Sequence, residues 1–196
     1  YICKWGTILM NIKNINNILN HITSVKNGTD KKRGICFLIG AGADISSGGI
    51  LFRELKIRFL KENGCIVPSN VSDKILDEQF EKQIDKMSQN GRCETLDKVM
   101  KRYKAPSEGY SLLVMLAELG YIDAVITTNF DYLLEQTQQS LNLSPFTIFT
   151  PGSAVPEEYY QRCSKTSPIY LKMHGDLSTR LVTHLTQNEI QNKQYG

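Results

Sequence analysis

Residues 10–27, MNIKNINNILNHITSVKN, place Ile12, Ile15, Ile18, Leu19, Ile22 and Val25 on one helical face, and Gly28 stops the pattern. An unbroken apolar run follows, Ile35 to Ile39, ending at Gly40. Such a run predicts a strand buried on both faces, as in a parallel sheet. A Gly- and Ser-rich loop comes next, then a second helical pattern from Phe52 to Asn63, closed by Gly64. Residues 72–104 are rich in Glu, Asp, Lys and Gln, with Leu76, Phe80, Ile84, Met87, Leu96, Val99 and Met100 at helical spacings. They predict two helices broken near Gly91, in a lobe inserted at 64–104.

Ser107 to Leu119 reads as a more apolar helix ended by Gly120, and residues 122–128 as a second buried strand. Phe130 to Leu141 is predicted helical, Phe146 to Thr150 a short strand, Ala154 to Cys163 a helix and Ile169 to Met173 a fourth strand. Leu181 to Leu185 is a candidate fifth strand. Strands alternating with helices predict an α/β fold with a parallel sheet. Ligands of such sheets sit beyond the carboxyl ends of the strands. There the sequence places three polar clusters: Gly40-Ala41-Gly42-Ala43-Asp44, Asn129-Phe130-Asp131 and His174-Gly175-Asp176.

Composition narrows this picture. A chain of 196 residues is one domain, or one large and one small lobe. A formal charge of +3 does not mark a nucleic-acid or anionic-membrane protein, so neither partner is expected. No apolar run approaches the ~18 residues of a membrane helix. The five cysteines include no Cys-x-x-Cys pair, which argues against zinc and for free thiols in a reducing cytoplasm. The chain opens at Tyr1, and YICKWGTIL precedes Met10, so either it is a fragment or its first nine residues are not native.

Each cluster has two readings. Gly40-Ala41-Gly42 after a strand lets backbone N–H groups approach a phosphate, or it is a tight turn. The dinucleotide fingerprint fails, because Ile45 stands where its third glycine belongs, and there is no Gly-Lys-Ser/Thr for a Walker loop. Thr127 to Asp131 caps a helix or faces a ligand. His174 braces a loop or titrates at a site, with Gly175 giving a ligand room to approach. His21 and His184 lack such surroundings and read as structural.

Taken together, the three clusters resemble the sirtuin-like (silent information regulator) NAD-consuming family. GAGADISSGGILFR, Gly40 to Arg53, aligns without gaps with its first motif, Gly-Ala-Gly-x-Ser-x-x-Ser-Gly-Ile-Pro-Asp-Phe-Arg. Asp44 replaces the first Ser; Gly49, Ile50 and Leu51 replace Ile-Pro-Asp; Ser47, Gly48, Phe52 and Arg53 match. TTNFD, Thr127 to Asp131, looks like the second motif as it stands in bacterial antiphage-defence enzymes, and YLKMHGD carries the third, His-Gly. The two Cys-x-x-Cys pairs that hold zinc in the deacylases are absent after His174. LVTHLTQN, Leu181 to Asn188, looks like the start of the family's remaining strands, so the domain is expected to be incomplete at its C-terminal end.

The resemblance implies a Rossmann-like sheet formed by 10–63 and 105–196 within a single domain of residues 1–196, with 64–104 as a helical insertion. It implies that NAD is cleaved to nicotinamide and ADP-ribose, with no metal. Asn129 and His174 would be catalytic, Asn129 positioning water or a ribose hydroxyl and His174 acting as general base. Gly40, Ala41 and Gly42 would meet the phosphates, Phe52 would cover the nicotinamide, and Arg53 would contact NAD. Asp131 would bind the carboxamide, and Asp44, Ser47, Thr128 and Gly175 complete the expected NAD contacts. The expected role is NAD depletion in the cytoplasm, by a homo-oligomer governed by a sensor domain or partner beyond this chain. The alternatives are a zinc-free deacylase or ADP-ribosyltransferase, and a non-catalytic sensor of NAD or ADP-ribose.

Overall fold

The computed structural model describes residues 35–100, 105–143, 147–151, 168–183, 185–186 and 189, together with 20, 23, 24 and 27. Four strands form one sheet: β1 (Cys36–Ile39), β2 (Ala124–Thr127), β3 (Thr147–Phe149) and β4 (Ile169–Lys172). Their order is β1-β2-β4-β3, and every pairing is parallel. A 3₁₀ helix, Ala41–Ser47, follows β1. Five α-helices are described: α1 (Phe52–Glu62), α2 (Asp73–Asp85), α3 (Gln89–Met100), α4 (Glu108–Glu118) and α5 (Leu133–Ser140). This is an α/β, Rossmann-like arrangement, as the alternating pattern predicts.

Three apolar clusters are found among the described residues, the smallest being Leu60, Val71 and Leu76, and two of them position the site. One joins the sheet to α4 and α5 through Val125, Tyr170, Val114, Leu133 and Leu134. The other joins α1–α3 to the loops beyond the strands: Leu55, Phe59, Phe80 and Leu96 pack with Phe130, Leu177, Val182 and Leu185. Phe59 and Phe80 meet edge to face, with ring centroids 5.2 Å apart. The inserted helices are therefore fastened over the carboxyl edge of the sheet. Gln89 Nε2 donates to the carbonyl of Val182 at 2.7 Å, and Arg92 pairs with Glu189.

Several expectations need correction. β1 is not buried on both faces: among the described residues it is an edge strand, and Leu38 is 73% exposed while Phe37 and Ile39 pack against the core that contains α4. The segment after Gly40 is a 3₁₀ helix rather than a loop, because Asp44 and Ser47 turn inward and are buried. The helices of 72–104 part at Lys86–Ser88, not at Gly91. Ser88 Oγ accepts the Gly91 N–H at 3.2 Å and opens α3, which absorbs the glycine. α5 starts at Leu133 rather than Phe130, because Asp131 Oδ1 accepts the Leu133 N–H at 2.8 Å and keeps the preceding turn non-helical. Leu181–Val182 (β6) does not extend the main sheet; it pairs antiparallel with Gly175–Asp176 (β5) in a separate hairpin. The helices expected at 10–27 and 154–163 lie outside the described residues, apart from Asn20, Thr23, Ser24 and Asn27, which are helical and exposed.

Phe59→Ala should cost about 3–5 kcal/mol in urea denaturation, because a fully buried ring in the lobe core is lost. Leu38→Thr should change stability by less than about 0.5 kcal/mol, since the side chain already faces solvent.

Candidate functional site

A cavity of about 380 Å³ lies between the carboxyl edge of the sheet and the inserted helices. Parallel strands bring the three polar clusters to that edge, and hydrogen bonds lock them together. Thr128 N–H donates to the Ile39 carbonyl at 3.2 Å, Met173 N–H to Thr127 at 2.8 Å and Leu177 N–H to Phe130 at 3.0 Å. Ala41, Asp44, Phe52, Thr128, Asn129, Asp131 and His174 line one cavity despite their separation in sequence.

Asn129 is 9% exposed. Its backbone N–H donates to Thr127 Oγ1, and its side-chain Nδ2 to Asp44 Oδ1, both at 2.9 Å. Asp44 also accepts from the Tyr110 hydroxyl of α4. Asp131 is 6% exposed, and its Oδ2 is buried with no hydrogen-bond partner. Burial, then the neighbouring charge of Asp44, push its pKa up to about 7. The Leu133 N–H and the Lys172 ammonium oppose this. His174, half-buried, occupies the turn between β4 and β5, and its carbonyl accepts the Thr183 N–H at 2.8 Å.

Five expected NAD contacts fall outside the lining. Arg53 points to the lobe, its guanidinium bonded to Asp73 Oδ1 and the Val71 carbonyl, each at 2.7 Å. Ser47 is fully buried and accepts the Ser107 N–H at 2.9 Å, tying the 3₁₀ helix to α4. Gly175 is required by the hairpin: its φ is +87°, and a Cβ would lie 1.9 Å from the Leu181 carbonyl oxygen. Gly40 backs onto Thr128, where a Cβ would stand 3.2 Å from Oγ1, whereas a Cβ on Gly42 would meet open space.

The second wall escaped sequence reasoning. Lys56 of α1, Asp77, Phe80 and Glu81 of α2, and Met100 of α3 line the cavity with Ile50, Leu55, Leu185 and Thr186. Their helical spacing gives only a core-and-surface pattern and no sign of a shared cavity. Lys56 pairs with Asp77 and lies 4.8 Å from the Phe52 ring centroid. Four carboxyl side chains, Asp44, Asp77, Glu81 and Asp131, thus face one lysine, so the cavity favours a cationic group over an anionic one.

Beneath the cavity lies Lys172, 2% exposed. Its ammonium donates to the Asp131 carbonyl at 2.7 Å, pairs with Glu135, and sits 3.2 Å from Asp176 Oδ2. One buried charge therefore joins β4, the loop before α5 and the β5 hairpin.

Among the described residues, no group of three or more His, Cys, Asp or Glu side chains could hold a metal ion, and no helix is long and apolar enough to cross a membrane. Residues 123–195 match the family model described as SIR2-like domain. The matched segment contains Thr127–Asp131 and His174–Gly175, and Gly40 to Arg53 precede it. No curated protein matches the chain.

Two expectations test this electrostatic arrangement. The folded-state value of Asp131, about 7, lies above the ordinary 3.8, so folding favours its protonated form. The stability it contributes is full below pH 3.8 and is lost as pH rises through about 7. Asp131→Asn keeps an acceptor for Leu133 and should therefore raise the Tm more at pH 8 than at pH 5, read by calorimetry. Lys172→Met strands two carboxylates and should destabilise by about 3–5 kcal/mol in urea denaturation.

Proposed function

We propose that this sirtuin-like domain is an NAD glycohydrolase, cleaving NAD to nicotinamide and ADP-ribose. The observation that carries the reading is the convergence of Asn129, Asp131 and His174, from two distant loops, on one cavity. The acid-rich lining fits the positively charged nicotinamide end of NAD. The unpartnered Oδ2 of Asp131 suits a carboxamide N–H, and Phe52, half open to the cavity, offers a face for a flat ring. Nicotinamide leaves as a neutral molecule, so its departure needs no general acid. The anomeric carbon becomes electron-poor as that bond breaks. Water then adds, with His174 taking its proton and Asn129 Oδ1 orienting it. General-base assistance of this kind is worth roughly 10²–10⁴-fold. The phosphates would lie toward Ala41 and Gly42, where the backbone borders open space.

The defence role, NAD depletion in the cytoplasm, rests on the resemblance of Thr127–Asp131 to the bacterial antiphage branch. A homo-oligomer and a sensor beyond this chain belong to the same proposal. One observation favours a second reading: the apolar wall of Ile50, Leu55, Phe80, Met100 and Leu185 could seat the chain of an acyl-lysine. Deacylation or ADP-ribosyl transfer would follow, both dependent on an acceptor.

Incubating the full-length protein with NAD alone separates these readings. A glycohydrolase releases nicotinamide without peptide, and an acceptor-dependent enzyme releases little. Asn129→Ala and His174→Ala should each lower nicotinamide release by about 10²-fold or more, mainly in kcat, with the fold intact by circular dichroism. Wild-type turnover in His174→Ala would remove the histidine from the mechanism. Binding of NAD without any cleavage by the wild type would favour the sensor.

A further inference from the structure

We propose that Asp44 is a positioning residue, holding the Asn129 side-chain amide so that its oxygen faces the cavity. The inference rests on the reading of Asn129 as the group that meets substrate. Asp44 is 1% exposed, on a 3₁₀ helix anchored by Ser47. Its Oδ1 accepts from Asn129 Nδ2 at 2.9 Å and from the Tyr110 hydroxyl. An amide is planar, so fixing its NH₂ toward Asp44 fixes its oxygen on the opposite side. Asn129 itself lines the cavity. Flipping the amide would set a carbonyl oxygen against a carboxylate, two acceptors in a buried place. The Asn129 backbone cannot swing away to compensate, because its N–H is held by Thr127 Oγ1.

Asp44 stands where the motif resembled by Gly40–Arg53 has serine. A serine hydroxyl is one atom shorter and uncharged, so it cannot receive both Asn129 and Tyr110 in the same way. The carboxylate ties the first cluster and α4 to the second cluster at the one side chain whose orientation matters. Asp44 thus acts on the reaction through Asn129 and leaves the grip on the dinucleotide to other groups.

The test uses Asp44→Ala and Asp44→Asn in the full-length protein, with three readouts: nicotinamide release, ADP-ribose affinity by calorimetry, and the ¹⁵N–¹H signals of the Asn129 side-chain amide, assigned by their loss in Asn129→Ala. Asp44→Ala should lower kcat about 10²-fold, the scale of a small misplacement of a reacting group, while KM and ADP-ribose affinity change by less than about threefold. Asp44→Asn keeps an oxygen for Nδ2 and should restore kcat to within about tenfold of wild type. The amide signals should be sharp in wild type and Asp44→Asn, and broadened or solvent-exchanging in Asp44→Ala. If Asp44→Ala does not fold, Asp44→Ser takes its place with the same expected outcome. A loss of ADP-ribose affinity in Asp44→Ala would overturn the proposal in favour of direct contact with NAD. So would unchanged kcat, or unchanged amide signals. A wild type that binds ADP-ribose but releases no nicotinamide would remove the glycohydrolase reading alone, and the amide signals would still decide the role of Asp44.

Discussion

Lys172 is the interaction on which the site depends. A cation with 2% exposure persists only where its surroundings replace the water it has lost. Here Glu135, Asp176 and the Asp131 carbonyl do so, each from a different segment. Even beside this ammonium, burial keeps the Glu135 pKa raised, so desolvation outweighs the attraction there. The ammonium is satisfied only when the loop after β2 and the hairpin after β4 adopt their native relation. Asn129 and Asp131 ride on one of those segments and His174 on the other. A requirement of buried charge is thereby turned into a geometric relation between candidate catalytic groups.

The cavity above this knot has walls of different character. The sheet edge supplies polar groups in fixed backbone frames: parallel ladder bonds set the strand ends, and short turns carry Asn129 and His174 directly from them. The helical wall mixes the apolar Leu55, Phe80 and Met100 with the charged Lys56, Asp77 and Glu81, and is supported by the Phe59–Phe80 contact. Its core continues into Phe130, Leu177 and Leu185, so lobe and loops share one apolar cluster. Within this site Asn129 and Asp131 are buried. Charges inside it act with less screening than they would at the surface.

Carboxylates crowd this space, and the structure distributes them unequally. Asp44 accepts from Asn129 and Tyr110, while Asp131 accepts from the Leu133 N–H and keeps Oδ2 without a hydrogen-bond partner. Proximity to Asp44 adds to burial in raising the Asp131 pKa toward neutrality. The same closeness of like charges that would weaken a core is useful where a cationic ligand is to be held. The neighbouring Tyr110 hydroxyl, its pKa raised first by burial and then by Asp131, stays protonated and donates to Asp44.

The sequence by itself determined the parallel α/β plan, because unbroken apolar strands and amphipathic helices are local patterns with fixed periods. It also determined which clusters follow strands, and hence that 40–44, 129–131 and 174–176 share an edge. Asn129, Asp131 and His174 were legible for that reason. Tertiary structure alone decided what each side chain does there. Arg53 and Ser47 match a motif, yet partners on the lobe and α4 draw them away from the cavity, and the partner segments cannot be read from the motif. Gly175 reads as room for a ligand, but the approach of Leu181 across a hairpin explains it instead. Lys172 was visible as a charge inside an apolar strand, IYLKM, although its three partners were not. The helical wall was illegible because residues facing a cavity and residues facing a core obey the same period, and only the distance to the opposite element separates them.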